Sequence, residues 1–268
     1  MRRLACAALL AGFAFAPDAA LAQMVPSTCH AVAETLPRAT FVSMARDEPT
    51  RLAQMAEEVT ITYVTHATYR IESPGGVVVA TDFAGYGGAD LPDIVTMNKA
   101  HSSHNTPFPD PAIAHVLRGW NPEGGAARHA LTVDDMYVRN VPTDIRSYGG
   151  MEADGNSIFI FEVAGLCIGH LGHLHHTLTD SDYAQIGRLD VVMVPVDGGM
   201  TMSQEGIGEI TERLRSSIVL PMHRFSGPIE RFLAKLPDFA VDMRDEPSLT
   251  VSVRTLPRTP TVIVLRGV

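Results

Sequence analysis

The chain has 268 residues, with 21 Lys and Arg against 30 Asp and Glu, a formal net charge of −9 and 46% hydrophobic content. Such a chain buries one large core and is not disordered. Its acidic balance argues against a nucleic-acid or anionic-membrane partner.

Arg2 and Arg3 precede the apolar run LACAALLAGFAFA, and Ala20-Leu21-Ala22 offers a small-x-small cleavage site before Gln23. This reads as a secretory signal over residues 1–22, its apolar run too short to span a bilayer comfortably. A periplasmic or secreted protein follows, without stable membrane insertion once the signal is removed. Residues 23–268 then form one domain. Cys6 leaves with the signal, while Cys29 and Cys167 remain. An oxidising compartment permits them to pair. Cys167 inside GLCIGHL reads more simply as a buried core thiol, and connectivity does not follow from sequence.

Residues 45–59, ARDEPTRLAQMAEEV, have helical spacing. VTITYVTH, ATYRIES and GVVVATD follow, alternating or β-branched as antiparallel strands are. PDIVTM predicts a buried strand, and PAIAHVLRGW a helix with Pro111 in its first turn. MYVRNVP, SIFIFEV, GLCIGHL and DVVMVPV read as strands. SDYAQIGRL predicts a short helix, and SQEGIGEITERLRS a longer one N-capped by Ser203. SIVLPMH is a strand ending at His223, GPIERFLAKL a helix, and LTVSVRTL and TVIVLRG are closing strands. This order fits two sheets, each covered by helices on its outer face.

Histidines gather where these strands end. His66 follows one strand, and His101 and His104 another. His170, His173, His175 and His176 follow a third, and His223 a fourth. Strand ends fix positions while their loops converge, so these placements predict one cluster. Neutral imidazole is the commonest protein ligand for zinc and suits other transition metals. His30, His115 and His129 read as ordinary surface or hydrogen-bonding residues.

In this order the motifs resemble the metallo-β-lactamase fold superfamily, closest to its ascorbate-lactonase-like branch of metal-dependent hydrolases. The resemblance rests on VTITYVTHATYRIESPGGVVVATD, on HLGHLHHTLTDSDYAQIGRLDVVMVPVDGGMTM and on IVLPMH, and covers a core of about residues 58–225. It implies an α/β fold, an αββα sandwich of two mixed sheets with metal bound at one edge. The superfamily signature His-x-His-x-Asp-His, laid on KAHSSH, puts Lys99 at the first histidine, His101 at the second, Ser103 at the aspartate and His104 at the last. The later histidine falls near Asp144 and Ile145, the bridging aspartate falls on His173, and the final histidine is His223. The implied metal ligands are His101, His104, His173 and His223, holding one zinc or other divalent ion rather than two. Lys99 either faces the site, as a charge or an anion-holding group, or is a surface lysine. Asp144 or Asp82 would orient the attacking water. His66 and Asp82 would orient ligands or substrate, unless Asp82 only caps the turn before FAGYGG. His170, His175 and His176 would support the ligands.

The implied activity is metal-assisted attack of water on an ester, lactone, amide or phosphodiester, with a small-molecule substrate. Ser-His-Asp chemistry competes poorly, because no serine sits in a G-x-S-x-G elbow. The alternative is a non-catalytic member that binds metal or ligand after losing part of a dinuclear site.

Overall fold

A computed structural model describes residues 27–30, 57–147, 150–225 and 227–268. The signal over 1–22 and most of the helix expected over 45–59 lie outside the described residues. The first strands form where β-branched and apolar residues alternate: β1 (Val59–Thr65), β2 (Thr68–Glu72) and β3 (Val78–Ala80). β4 (Ile94–Met97) is buried throughout, as the unbroken apolar run requires. β5 (His115–Arg118) pairs parallel with β4, Ile94 against His115 through Met97 against Arg118. The helix expected over PAIAHVLRGW is therefore a turn followed by a strand. β4 would otherwise leave its backbone groups unpaired, and that tertiary demand overrides a weak helical pattern.

β6 (Ala130–Val133), β7 (Met136–Ser147), β8 (Gly150–Val163) and β9 (Leu166–His170) form an antiparallel run. Then come α1 (Asp180–Ile186), β10 (Val191–Pro195), α2 (Gln204–Leu214), β11 (Ile218–Met222) and α3 (Glu230–Leu233). β12 (Ala240–Met243), β13 (Ser248–Val251) and β14 (Thr261–Val264) close the chain. Ser203 caps α2 as expected, its Oγ accepting from Gly206 N at 3.2 Å.

The strands make a six-stranded sheet, β13-β1-β2-β3-β4-β5, and an eight-stranded sheet, β12-β14-β11-β10-β9-β8-β7-β6. Both are mixed: β3-β4-β5 and β9-β10-β11-β14-β12 run parallel, and the remaining pairs antiparallel. Period-two alternation assigns the faces. Phe159 and Phe161 on β8 point between the sheets with Ile61, Tyr69, Ile168 and Leu220. Ile158 and Ile160 point the other way, packing with Ile207, Ile210 and Phe232 of the helices. Helices thus cover the outer face of the larger sheet. Among the described residues, the outer face of the smaller sheet is closed by loop residues Phe83 and Ile113 over Ala80, Val95 and Met97.

Cys29 and Cys167 form a disulfide, with a Cα–Cα distance of 5.8 Å, rather than leaving Cys167 a free core thiol. The segment around Cys29 is also held by Glu162, which accepts from Ser27 Oγ, from Thr28 N at 2.7 Å and from Thr28 Oγ1 at 3.0 Å. Buried Arg139 completes this junction. It pairs with Glu162 at 2.9 Å and donates to the carbonyls of Gln185 and Ile186 at the end of α1. Burial pushes the Glu162 carboxyl up, but the hydrogen bonds from Ser27, Arg139 and Thr28 outweigh it and hold its pKa below the usual range. A depressed carboxylate pKa stabilises the fold above the unfolded value, near 4.5, and that stabilisation is lost as pH falls through the folded value. Glu162→Gln strands a buried guanidinium and is expected to cost about 3 kcal/mol at neutral pH. In thermal unfolding the gap to wild type should be full at pH 6–7 and shrink below about pH 4.5. A gap that stays constant to pH 3 would count against this assignment.

Candidate metal centre

The parallel strands decide where the histidines meet. β3 and β4 of one sheet end beside β9, β10 and β11 of the other, and the loops leaving these ends face a common edge. His66 comes from the β1–β2 turn, Asp82 follows β3, His101 and His104 follow β4, His173 and His175 follow β9, Asp197 follows β10, and His223 follows β11.

Five imidazoles converge there. One ring nitrogen from each of His66, His101, His104 and His223 lies within 4.8 Å of the others, a spacing that fits one metal ion. His173 adjoins this group, its Nε2 3.2 Å from His101 Nε2, and its ring centroid is 4.7 Å from His104 and 4.8 Å from His223. The Nε2 atoms of His66, His104 and His223 are buried without a hydrogen-bond partner. Buried polar atoms normally find partners, so three orphaned lone pairs aimed at one point fit a cation.

Supporting groups hold the Nδ1 atoms of His101, His104 and His173. His104 Nδ1 donates to Asp82 Oδ2 at 2.7 Å, and Asn98 Nδ2 donates to Asp82 Oδ1 at 2.7 Å. This fixes the tautomer that leaves His104 Nε2 free. His223 Nδ1 lies 3.1 Å from Asp197 Oδ1, close but not aligned as a hydrogen bond. Asp197 is itself fixed by Gly199 N, Thr201 N and Thr201 Oγ1. His101 Nδ1 is 2.8 Å from Ser103 Oγ, and His173 Nδ1 is 2.6 Å from His175 Nε2. Beneath the cluster, fully buried His170 donates through Nε2 to Ala67 O at 2.8 Å and accepts from Gly172 N.

Three of these residues occupy the left-handed backbone region: His66 (φ 43°), Asp82 (φ 41°) and His223 (φ 54°). Such strain persists only where surroundings over-determine it. Here His223 N donates to His66 O at 2.8 Å, and Thr68 Oγ1 to Asp82 O at 3.0 Å. Gly172, at φ 62°, leaves room for Asn98 and Asn156, whose positions a Cβ would take. Asn156 in turn accepts from His173 N at 2.7 Å.

Burial and crowding favour the unprotonated form of His66, His101, His104 and His173. Burial, then the mutual repulsion of neighbouring rings, brings His66 down to about 4 and His104 to about 2, and lowers His173 further. Asp82 is pushed up by burial, against the opposing pull of His170 and Asn98. Asp197 is held far below the usual carboxylate range: burial raises it, and the adjacent His223 ring, with the hydrogen bonds from Thr201 and Gly199, more than offsets that. Neutral imidazoles flanked by carboxylates are the form that ligates a metal.

Of the residues expected from sequence, His101, His104, His173 and His223 come together. His66, expected only to orient, places a nitrogen in the group itself. Asp82 holds His104 rather than merely capping a turn. Lys99 lies at the rim, half exposed and ion-paired to Glu152. Asp144 stands apart from the cluster. It sits where the β7–β8 register shifts between Thr143 and Ile145, and its Oδ1 accepts from Asp154 N at 3.2 Å. The bulge turns Ile145, not Asp144, toward the site. His176 reaches Asp144 N and not the cluster. Sequence reading passed over Asp197 and Asn98. Asp197 had a signal, an aspartate before Gly-Gly at the end of a buried strand.

Comparison with known proteins identifies the family and the fold. A family model described as "Beta-lactamase superfamily domain" matches residues 60–223. A UPF0173 metal-dependent hydrolase from Geobacillus sp. (strain WCH70) is 24% identical over 213 residues, 66% of this chain and 93% of that protein. A protein from Thermotoga maritima, described as a Zn-dependent hydrolase of the metallo-β-lactamase superfamily, superposes with a TM-score of 0.55 at 24% identity. That superposition covers 77% of this chain and 98% of the other. Igni18, a metallo hydrolase from Ignicoccus hospitalis, superposes with a TM-score of 0.53 at 18% identity, covering 73% and 99%. These structural likenesses establish a shared fold.

Proposed function

This chain belongs to the metallo-β-lactamase superfamily, and from that premise we propose that it is an exported metal-dependent hydrolase acting on a small ester, lactone, amide or phosphodiester. The observation that carries the proposal is the set of orphaned, buried Nε2 atoms of His66, His104 and His223 converging with His101. An all-imidazole donor set suits zinc among the common metals. His104, His223 and His101, with His66 or His173, would hold one ion. A divalent metal bound there supplies Lewis acidity and makes a nucleophile available near neutral pH. The chain's own residues do the rest. Asp82 and Asp197 keep the His104 and His223 rings turned inward, and the neighbouring cavity seats the substrate beside His101 and His173. Lys99, tied to Glu152, forms part of that cavity's wall.

One ion per chain is the expected count, since Lys99 and Ser103 supply no second imidazole or carboxylate ligand. Export is supported by the Cys29–Cys167 disulfide, because such bonds persist in oxidising compartments. Elemental analysis of the protein purified without added metal should find one equivalent of zinc. Turnover in a panel of esters, lactones, amides and phosphodiesters should vanish on chelation and return with zinc. Metal-replete protein that turns over no member of the panel would sink the hydrolase reading in favour of a binding role.

A further inference from the structure

Beside the cluster lies a cavity of about 510 Å³, lined in part by His101, His173 and His175. That is the size of a small-molecule site. Its other walls carry two kinds of group. Ile145 and half-exposed Met200 supply an apolar surface. Lys99, Glu152 and Arg146 supply charge. Lys99 and Glu152 neutralise each other as an ion pair. Arg146 has no carboxylate partner among the described residues. It donates a long hydrogen bond, 3.4 Å from Nη1, to the neutral carbonyl of Gly199. Among the described residues, the cavity lining therefore carries one uncompensated positive charge, in a chain whose net charge is −9. A guanidinium presents a planar fork that matches the paired oxygens of a carboxylate or phosphate.

We propose that this cavity takes a substrate with an anionic group on an apolar body, the anion held by Arg146, the body against Ile145 and Met200, and the scissile bond toward His101 and His173. The inference rests on the hydrolase reading and adds the substrate class to it. In this pose the anion is a group separate from the one that reacts. Carboxylate and phosphate share the chemistry that Arg146 recognises.

Two arms test it with the metal-loaded full chain. The first compares p-nitrophenyl hydrogen glutarate, an anionic ester, with neutral p-nitrophenyl butyrate. Wild type should favour the anionic ester, and Arg146→Ala should lower the ratio of the two kcat/KM values roughly 10- to 100-fold, the worth of a charged hydrogen bond. Arg146→Lys should restore part of it, chiefly through KM. The second arm measures binding by calorimetry, without turnover, for 4-phenylbutyrate, 3-phenylpropyl phosphate and 4-phenylbutanamide. The two anions should lose about tenfold or more in affinity in Arg146→Ala, and the stronger of them in wild type identifies the anion preferred. Anion affinity unchanged in Arg146→Ala would mean that the metal alone anchors the anion, and equal wild-type affinity for acid and amide would mean no anion site. Either overturns the proposal. Binding that behaves as expected while no member of the ester, lactone, amide and phosphodiester panel is cleaved would defeat the hydrolase reading and leave this one standing.

Discussion

His104→Ala is expected to leave the protein with less than about a tenth of an equivalent of metal after gentle dialysis, and to abolish metal-dependent turnover. The expectation follows from how completely this side chain is committed. His104 is fully buried, its Nδ1 is used by Asp82, and its Nε2 has no partner in the protein. Neighbouring rings cannot rotate in to replace it, because each is held from behind: His101 by Ser103, His173 by His175 and His223 by the left-handed turn that bonds to His66. Asp82→Asn provides the graded counterpart. It keeps the shape and removes the charge that fixes the His104 tautomer, so metal affinity should drop about 10- to 100-fold rather than vanish. Elemental analysis and competition with a chromogenic chelator measure both, with near-ultraviolet circular dichroism confirming native packing. Full metal retention in natively packed His104→Ala would show that His104 is not a ligand.

Reducing the Cys29–Cys167 bond, or replacing Cys29 by Ser, is expected to destabilise the protein by about 2–5 kcal/mol. For a domain of this size that lowers the melting temperature by roughly 5–15 °C. The bond joins residues 138 apart in sequence and ties the segment around Cys29 to β9, the strand that leads into His170 and His173. Glu162 and Arg139 still grip Ser27, Thr28 and the end of α1 when the bond is open. The loss should therefore appear in global stability, with metal binding less affected. Thermal unfolding with and without dithiothreitol measures it. An unchanged melting temperature in protein shown by thiol titration to be reduced would refute the bond's contribution.

The sequence by itself determined most of the strands, though not β5, β6 or β12, and the edge where the site lies. Alternation along SIFIFEV assigns Phe159 and Phe161 to one face and Ile158 and Ile160 to the other. The apolar runs of β4, β10 and β11 each end at the loop that carries a site residue. These readings succeed because burial on one face imposes a local period, which the chain carries in its residue order. Tertiary structure decided the rest. PAIAHVLRGW is a strand because β4 needs a neighbour to pair its backbone. The pairing of Cys29 with Cys167 depends on two segments far apart in sequence meeting at 5.8 Å. His66 enters the histidine cluster through a left-handed turn bonded to His223, Asp197 supports the cluster from the end of another strand, and a bulge sets Asp144 aside. Each of these depends on the direction of a single side chain after a turn, or on which distant loops arrive together. A local hydrophobic period records which face is buried. It holds no term for the angle at which a loop leaves its strand, and that angle is fixed only when the two sheets pack.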